Sequence, residues 1–195
     1  MYTHIHQLAL EVKKGVEAAH PKVDVELYQV AETLSQEVLD KMHAPPKPDV
    51  PIITPDKLTE ADGFLFGFPT RFGSVPAQFN AFLDSTGQIW MKGGLDKKFA
   101  GFFTSTATQH GGQETTVFTT ITYLAHHGIN YVPLGSGISY FGDTSELIGG
   151  GFWGAATITG SDASRPISER EKEVARFQGK RFAEIVATYI RGAQV

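Results

Sequence analysis

The sequence predicts an α/β fold, a parallel sheet with helices on both faces, and three observations carry that prediction. Two short apolar runs, Gly63-Phe64-Leu65-Phe66 and Phe99-Ala100-Gly101-Phe102-Phe103-Thr104, have the length and composition of buried strands. Each opens into a loop of glycine, proline or hydroxyl residues. Each loop then leads to a stretch with apolar residues at helical spacing. Strands and helices that alternate in this way form parallel sheets buried on both sides.

The elements follow in order. Ile5, Leu8, Ala9, Val12 and Val16 recur at helical spacing, which predicts an amphipathic helix over about 4–19. Val23 to Val30 alternates apolar and polar residues like a strand near a sheet edge. Thr33 to Met42 reads as a short helix. Ala44 to Pro55 holds five prolines and reads as an extended surface loop. A strand at 63–68, a helix over about 76–90, a strand at 99–104 and a helix over about 113–127 come next. Asn130 to Leu134 is a short apolar segment, and Gly135 to Gly154 is an aperiodic excursion rich in Gly, Ser and aromatics. Ala155 to Thr159 resumes a strand. Ser168-Glu169-Arg170-Glu171 has the form of a capping box and opens a C-terminal helix carrying Val174, Phe177, Phe182, Ile185, Val186 and Tyr189.

Open α/β sheets bind ligands at the C-terminal ends of their strands. Two loops stand at such ends here. Gly67-Phe68-Pro69-Thr70-Arg71-Phe72-Gly73-Ser74-Val75-Pro76 combines free backbone amides with a guanidinium, which suits an electron-rich, partly anionic ring. Ser105 to Glu114 is a hydroxyl- and glycine-rich counterpart. Two such loops on neighbouring strands can hold a flat ligand from both sides. Read alone, each is equally an ordinary βα turn.

At 195 residues the chain has the size of one domain. Its net charge of −4, with Lys and Arg scattered, gives no basic field for nucleic acid. The absence of cysteine excludes disulfides, thiolate chemistry and Cys-type metal sites. No apolar run reaches the length of a membrane span, so a cytoplasmic protein is the expectation. Fourteen Phe supply a core and stacking surfaces for a planar ligand.

Several segments together resemble one family. Pro69-Thr70-Arg71-Phe72-Gly73, Ser105 to Glu114, Leu124-Ala125-His126-His127-Gly128 and Gly160-Ser161-Asp162-Ala163-Ser164-Arg165-Pro166 are similar to WrbA, the type IV NAD(P)H:quinone oxidoreductases. Ala44-Pro45-Pro46-Lys47-Pro48 resembles the fungal branch. The resemblance covers essentially the whole chain in order. It implies a flavodoxin-like fold with strand order 2-1-3-4-5, the excursion interrupting the final strand. It further implies FMN as cofactor, a homotetramer, and ping-pong reduction of quinones by NADH or NADPH. By position, Thr70, Arg71 and Phe72 and the loop Ser105, Thr106, Ala107, Thr108, Gln109, His110 and Gly111 are expected to line the flavin. Trp90 and His126 match positions at the flavin face, where nicotinamide and quinone would stack in turn. Without the resemblance, Trp90 reads as a helix-end core residue and His126 as a structural histidine.

The match breaks at the N-terminus. In this family a first strand precedes a phosphate loop resembling Ser-Met-Tyr-Gly-His-Ile, whereas this sequence starts at Met1-Tyr2-Thr3-His4-Ile5, inside that loop. Strand 1 is therefore expected to be missing from the middle of the sheet. Either the sequence is a shortened version of a longer protein, or the strand after it shifts to close the gap. Tyr2, Thr3, His4 and Ile5 still begin a helix whose terminal amides can hold phosphate. His4 and His6 form an H-x-H, but residues two apart on a helix point to different faces, so no metal is assigned. Two other readings remain open: a one-electron flavodoxin-type carrier, and a flavin-poor structural protein at the membrane periphery.

Overall fold

The computed structural model describes residues 3–19 and 23–193. It is a mostly parallel sheet between two helical layers. Strands β1 (Gly63–Pro69), β2 (Phe99–Thr106), β3 (Asn130–Tyr131), β4 (Gly150–Gly151) and β5 (Gly154–Ile158) form it in the order β1-β2-β5-β4, with β3 also on β2. β1 pairs with β2 in parallel along its whole length, from Gly63 opposite Phe99 to Pro69 opposite Ser105. β3 and β5 share the other edge of β2: β3 lies beside Phe99 and Ala100, β5 beside Thr104 to Thr106. They are two pieces of one interrupted strand, as the long excursion between them predicts.

The helices are α1 (His4–Ala19), α2 (Gln36–Lys41), α3 (Lys57–Glu60), α4 (Ala77–Asp84), α5 (Gly87–Met91), α6 (Thr115–His127) and α7 (Glu169–Gly192). Successive strand residues face opposite layers. Phe64, Phe68 and Phe102 therefore pack with Phe79, Phe82, Val117 and Leu124 of α4 and α6. Phe103 and Ala155 pack with Leu8 and Val12 of α1 and Val174 and Ala175 of α7. All eight residues of β2 are buried, as a central parallel strand requires.

α7 starts where its capping box predicts. The Ser168 hydroxyl accepts from the Glu171 amide, and the Glu171 carboxylate accepts from the Ser168 amide. Glu171 is fully buried and takes further donors. Arg165 Nη1 lies 3.0 Å from both of its oxygens, and Gly149 N, Ile158 N and Thr157 Oγ1 donate to it at 2.9, 3.2 and 2.9 Å. One carboxylate thus ties the end of the excursion, the end of β5 and the start of α7 together. Farther along α7, the buried Gln178 inserts its amide where β2 and β5 part. Its Nε2 donates to Phe102 O at 2.8 Å and its Oε1 accepts from Ala155 N at 2.9 Å.

Three expectations are corrected. Residues 23–30 are extended but form no strand; one parallel bridge between Gln29 and Ile52 is their only pairing among the described residues. A strand needs a neighbour along its edge, and across from these residues the facing edge of β1 stands on the far side of a large cavity. Of the two explanations offered for the missing strand, the one in which this segment shifts to close the sheet is not what the structure has. The helix over 76–90 is two helices, because the chain turns at Ser85 and Thr86, whose hydroxyls donate back to Phe82 O and Leu83 O. The helix expected over 33–42 is limited to six residues, capped by Ser35.

Candidate functional site

The C-terminal ends of β1, β2 and β5 and the N-terminus of α1 meet at one mouth. Thr70 and Arg71 after β1, Ser105, Thr106 and Ala107 at the end of β2, and Thr159, Gly160 and Ser161 after β5 line it, together with Thr3, His4 and Ile5. The mouth is the end of a cavity of about 1410 Å³ that continues between β1 and residues 23–31.

Hydrogen bonds hold its loops. Thr70 N donates to Ser105 O at 2.9 Å, which locks the first loop to the second. The Gly73 amide donates to Thr70 Oγ1 at 3.2 Å, and that hydroxyl lies 2.7 Å from Thr116 Oγ1. Arg71 and Ser74 exchange backbone bonds of 2.7 and 3.0 Å, closing a tight turn. At its tip Phe72 has φ +54 and its ring is fully exposed. Thr106 Oγ1 donates to Thr108 O at 2.7 Å and accepts from Gln113 Nε2 at 3.0 Å, which shapes the second loop.

The mouth suits a phosphate. Gln7 N is bonded to Thr3 O, so the amides of the first residues of α1 have no acceptor within the helix. Free amides at a helix start favour an anion. The hydroxyls of Thr3, Ser105 and Ser161 add neutral donors, those of Thr106 and Thr159 being already given to Thr108 O and Gly160 O, and Arg71 adds a charge at the rim. His4 is buried and its Nε2–H donates to Arg165 O at 3.0 Å, which anchors the helix start to the loop after β5. The donors at this mouth have the chemistry that the phosphate of FMN requires.

Trp90 and His126 lie elsewhere. They line a separate hollow of about 420 Å³ between α4–α5 and α6, with Thr86, Tyr123 and His127. Trp90 Nε1 donates to His126 O at 2.9 Å, so the indole satisfies one of the last carbonyls of α6. The indole is half-exposed and the His126 side chain is exposed. Behind them is a buried polar cluster. The Thr86 hydroxyl donates to Leu83 O at 2.6 Å and accepts from Tyr123 OH at 3.0 Å. His127 Nε2–H therefore donates to Thr86 Oγ1 at 3.2 Å, which leaves Nδ1 buried without a partner. Burial holds the His127 imidazole below its usual pKa, with His126 adding to the effect, and burial pushes the Tyr123 phenol up.

Of the residues expected at the cofactor, the structure brings Thr3, His4, Ile5, Thr70, Arg71, Ser105, Thr106 and Ala107 to the mouth. Phe72, Thr108, Gln109, His110 and Gly111 belong to the same loops but do not line that cavity. Tyr2 lies outside the described residues. Thr159, Gly160 and Ser161 were not singled out as ligand residues. Their signal in the sequence is a glycine directly after a buried strand; in the structure Gly160 is left-handed, with φ +80.

Comparison with known proteins identifies the family. Residues 4–142 match the model of the NADPH-dependent FMN reductase family. The NAD(P)H quinone oxidoreductase PST1 of Candida albicans is 51% identical, over 95% of this chain and 93% of its own length. The quinone-oxidoreductase QR2 of Triphysaria versicolor is 54% identical, over 94% and 90%. Among solved structures, a WrbA-like flavodoxin from Agrobacterium tumefaciens superposes with a TM-score of 0.64, covering 96% of this chain and 92% of that one at 22% identity. That likeness shows a flavodoxin-like fold. By sequence, the chain belongs to the NADPH-dependent FMN reductase family.

Proposed function

We propose that this protein reduces quinones by two electrons, using NADH or NADPH as donor and FMN as cofactor. The observation that carries the reading is the mouth where three parallel strand ends and the start of α1 converge on hydroxyls and free amides. About half of the residues are shared, over nearly the full chain, with relatives named as NAD(P)H quinone oxidoreductases. FMN held here would supply the two-electron chemistry that couples oxidation of the nicotinamide to reduction of the quinone.

The chain's own groups hold and orient. The start of α1 and the surrounding hydroxyls bind the phosphate. Thr70, locked to Ser105, fixes the two loops relative to each other, so the ring enters a preformed slot. Trp90, held edge-on by His126 O, presents a flat apolar face, and the His126 ring beside it can donate a hydrogen bond to a quinone oxygen as charge develops there.

Trp90 and His126 line a hollow distinct from the mouth. A homotetramer reconciles the two, since a neighbouring subunit can bring this pair over a flavin held by the first. Exposed Phe72, Trp90, Met91 and Phe118 support such an association.

The test is an FMN titration of the purified chain followed by absorbance and flavin fluorescence, then NADH- and NADPH-dependent reduction of benzoquinone. Stoichiometric binding with turnover is the expected result. A folded protein that takes up no FMN overturns the reading.

A further inference from the structure

Trp90 stands on a helix too short to hold it. α5 has five residues, of which Ile89 alone is buried, and a helix of that length has little stability of its own. The chain leaves it through Gly93, whose φ of +62 makes the turn. The place of the indole therefore depends on what ties α5 to its neighbours.

Two ties run to α6. At the far end of α5, Trp90 Nε1 donates to His126 O at 2.9 Å. At the near end stands Thr86, 1% exposed, whose carbonyl accepts from Ile89 N at 2.9 Å and Trp90 N at 3.0 Å. A threonine just before a helix ordinarily offers its hydroxyl oxygen to an amide of that helix. Thr86 makes no such cap. Its hydroxyl instead donates to Leu83 O at 2.6 Å, and accepts from Tyr123 OH at 3.0 Å and His127 Nε2–H at 3.2 Å. A hydroxyl has one proton and two lone pairs, so every bond it can make is used. Tyr123 and His127 lie one turn apart on α6, with their ring centroids 4.5 Å from each other.

We infer that Thr86 is a positioning residue for quinone reduction: its hydroxyl, gripped by Tyr123 and His127, sets the plane of the Trp90 indole. The inference rests on the quinone reductase reading and names the groups that make its aromatic wall rigid. Apolar packing alone would also join α5 to α6, but apolar burial has no direction. Three hydrogen bonds at one oxygen do have direction, and they fix the rotamer of Thr86. Through Thr86 O, the same residue fixes the amides of Ile89 and Trp90. Buried as it is, Thr86 meets no ligand and acts through Trp90. Such indirect control matters because a displacement of about 1 Å between stacked reactants can cost on the order of 100-fold in rate.

Steady-state kinetics on the FMN-loaded protein, with NADH saturating and benzoquinone varied, test this. Thr86→Val keeps the side-chain shape without the hydroxyl and should lower kcat/KM for benzoquinone on the order of tenfold, with FMN binding unchanged. Thr86→Ser returns the hydroxyl and should recover kcat/KM to within about twofold of wild type. Added to Trp90→Ala, Thr86→Val should cost less than about twofold more, since the wall it aims is gone. In flavin-free Trp153→Phe, Trp90 is the remaining tryptophan. Its fluorescence anisotropy should drop with Thr86→Val and hold with Thr86→Ser. Wild-type kinetics in Thr86→Val, or equal losses in Thr86→Val and Thr86→Ser, overturn the inference. An equal cost with and without the indole, or an unchanged anisotropy, makes Thr86 a structural residue instead. If circular dichroism finds Thr86→Val unfolded, Tyr123→Phe removes one of the three bonds, keeps its ring and runs through the same cycle. If wild type holds FMN but reduces no quinone, the quinone reductase reading fails, and the anisotropy decides whether Thr86 sets the indole.

Discussion

Gly15 and Gly179 face the opposite backbone where α1 crosses α7. A Cβ on Gly15 would lie 2.0 Å from Arg176 O, and one on Gly179 would lie 2.1 Å from Val12 O. The two helices touch main chain to main chain, and the crossing sets the position of α1 above the sheet. The start of α1, Thr3 and His4, reaches the candidate phosphate site through this contact. Gly15→Ala or Gly179→Ala must push the helices apart. Each should lower the unfolding free energy by about 1–3 kcal/mol in urea titration. Because the start of α1 moves with the crossing, each should also weaken FMN binding.

Glu171 has no exposed surface and gathers Arg165, two backbone amides beyond its own cap, and a hydroxyl. Truncating it leaves those donors buried without an acceptor. Glu171→Ala should destabilise the protein by roughly 3–5 kcal/mol, the range for breaking a buried pair. Chemical denaturation measures this directly. Limited proteolysis should then find its first new cuts in the excursion over 135–151, whose end the carboxylate holds.

His127 makes stability depend on pH. Its folded-state pKa is depressed by burial, so the unfolded chain binds the proton more readily. The contribution is present above the ordinary imidazole value of 6.5 and is lost as pH falls from there toward the folded value. The lowered carboxylates Glu11 and Glu32 act in a separate, more acidic window, below their ordinary 4.5. Melting temperatures between pH 7.5 and 5.5 should fall for wild type and fall less for His127→Gln.

Phe72 holds a left-handed backbone at φ +54 with its ring in solvent. A bulky residue there is strained by about 1–2 kcal/mol, and Asn tolerates the conformation better. Phe72→Asn should therefore raise the melting temperature of the flavin-free protein, with a gain of up to about 1 kcal/mol. If the ring serves flavin or subunit contacts, the same change should weaken FMN binding or tetramer formation in titration and sedimentation experiments.

Trp90→Ala removes the flat wall and frees His126 O. Quinone turnover should drop on the order of 10- to 100-fold through lost positioning, with FMN still bound. Trp90→Phe keeps a ring but not the hydrogen bond and should fall between the two. Release of FMN, or unfolding, on Trp90→Ala would instead make the indole a structural cap of α6.

Much of the molecule was readable in the chain. The apolar runs at 63–68 and 99–104 are β1 and β2 because short apolar runs closed by turn residues suit strands buried on both faces: β1 sets Phe64, Phe66 and Phe68 on one face and Leu65 on the other, and β2 carries phenylalanine on both. The Ser168–Glu171 box is the start of α7, since its bonds are local. Residues 23–30 carried the strand alternation equally clearly, yet pairing needs a neighbour, and neighbours are not local. The break at Ser85 and Thr86 was hidden for a related reason: hydroxyls that donate back along the helix leave the apolar spacing unchanged.

The sequence by itself determined the layers, the loops at the strand ends and the family, because these follow from periodicity, turn chemistry and side-chain identity along a short stretch. Only the tertiary structure decided that Thr159 to Ser161 join the mouth and that Trp90 and His126 stand apart from it. It alone showed the cavity between β1 and residues 23–31 and the closeness of α1 and α7 at Gly15 and Gly179. These depend on which distant segments the packing of the core brings together, and residue spacing carries no direct record of that.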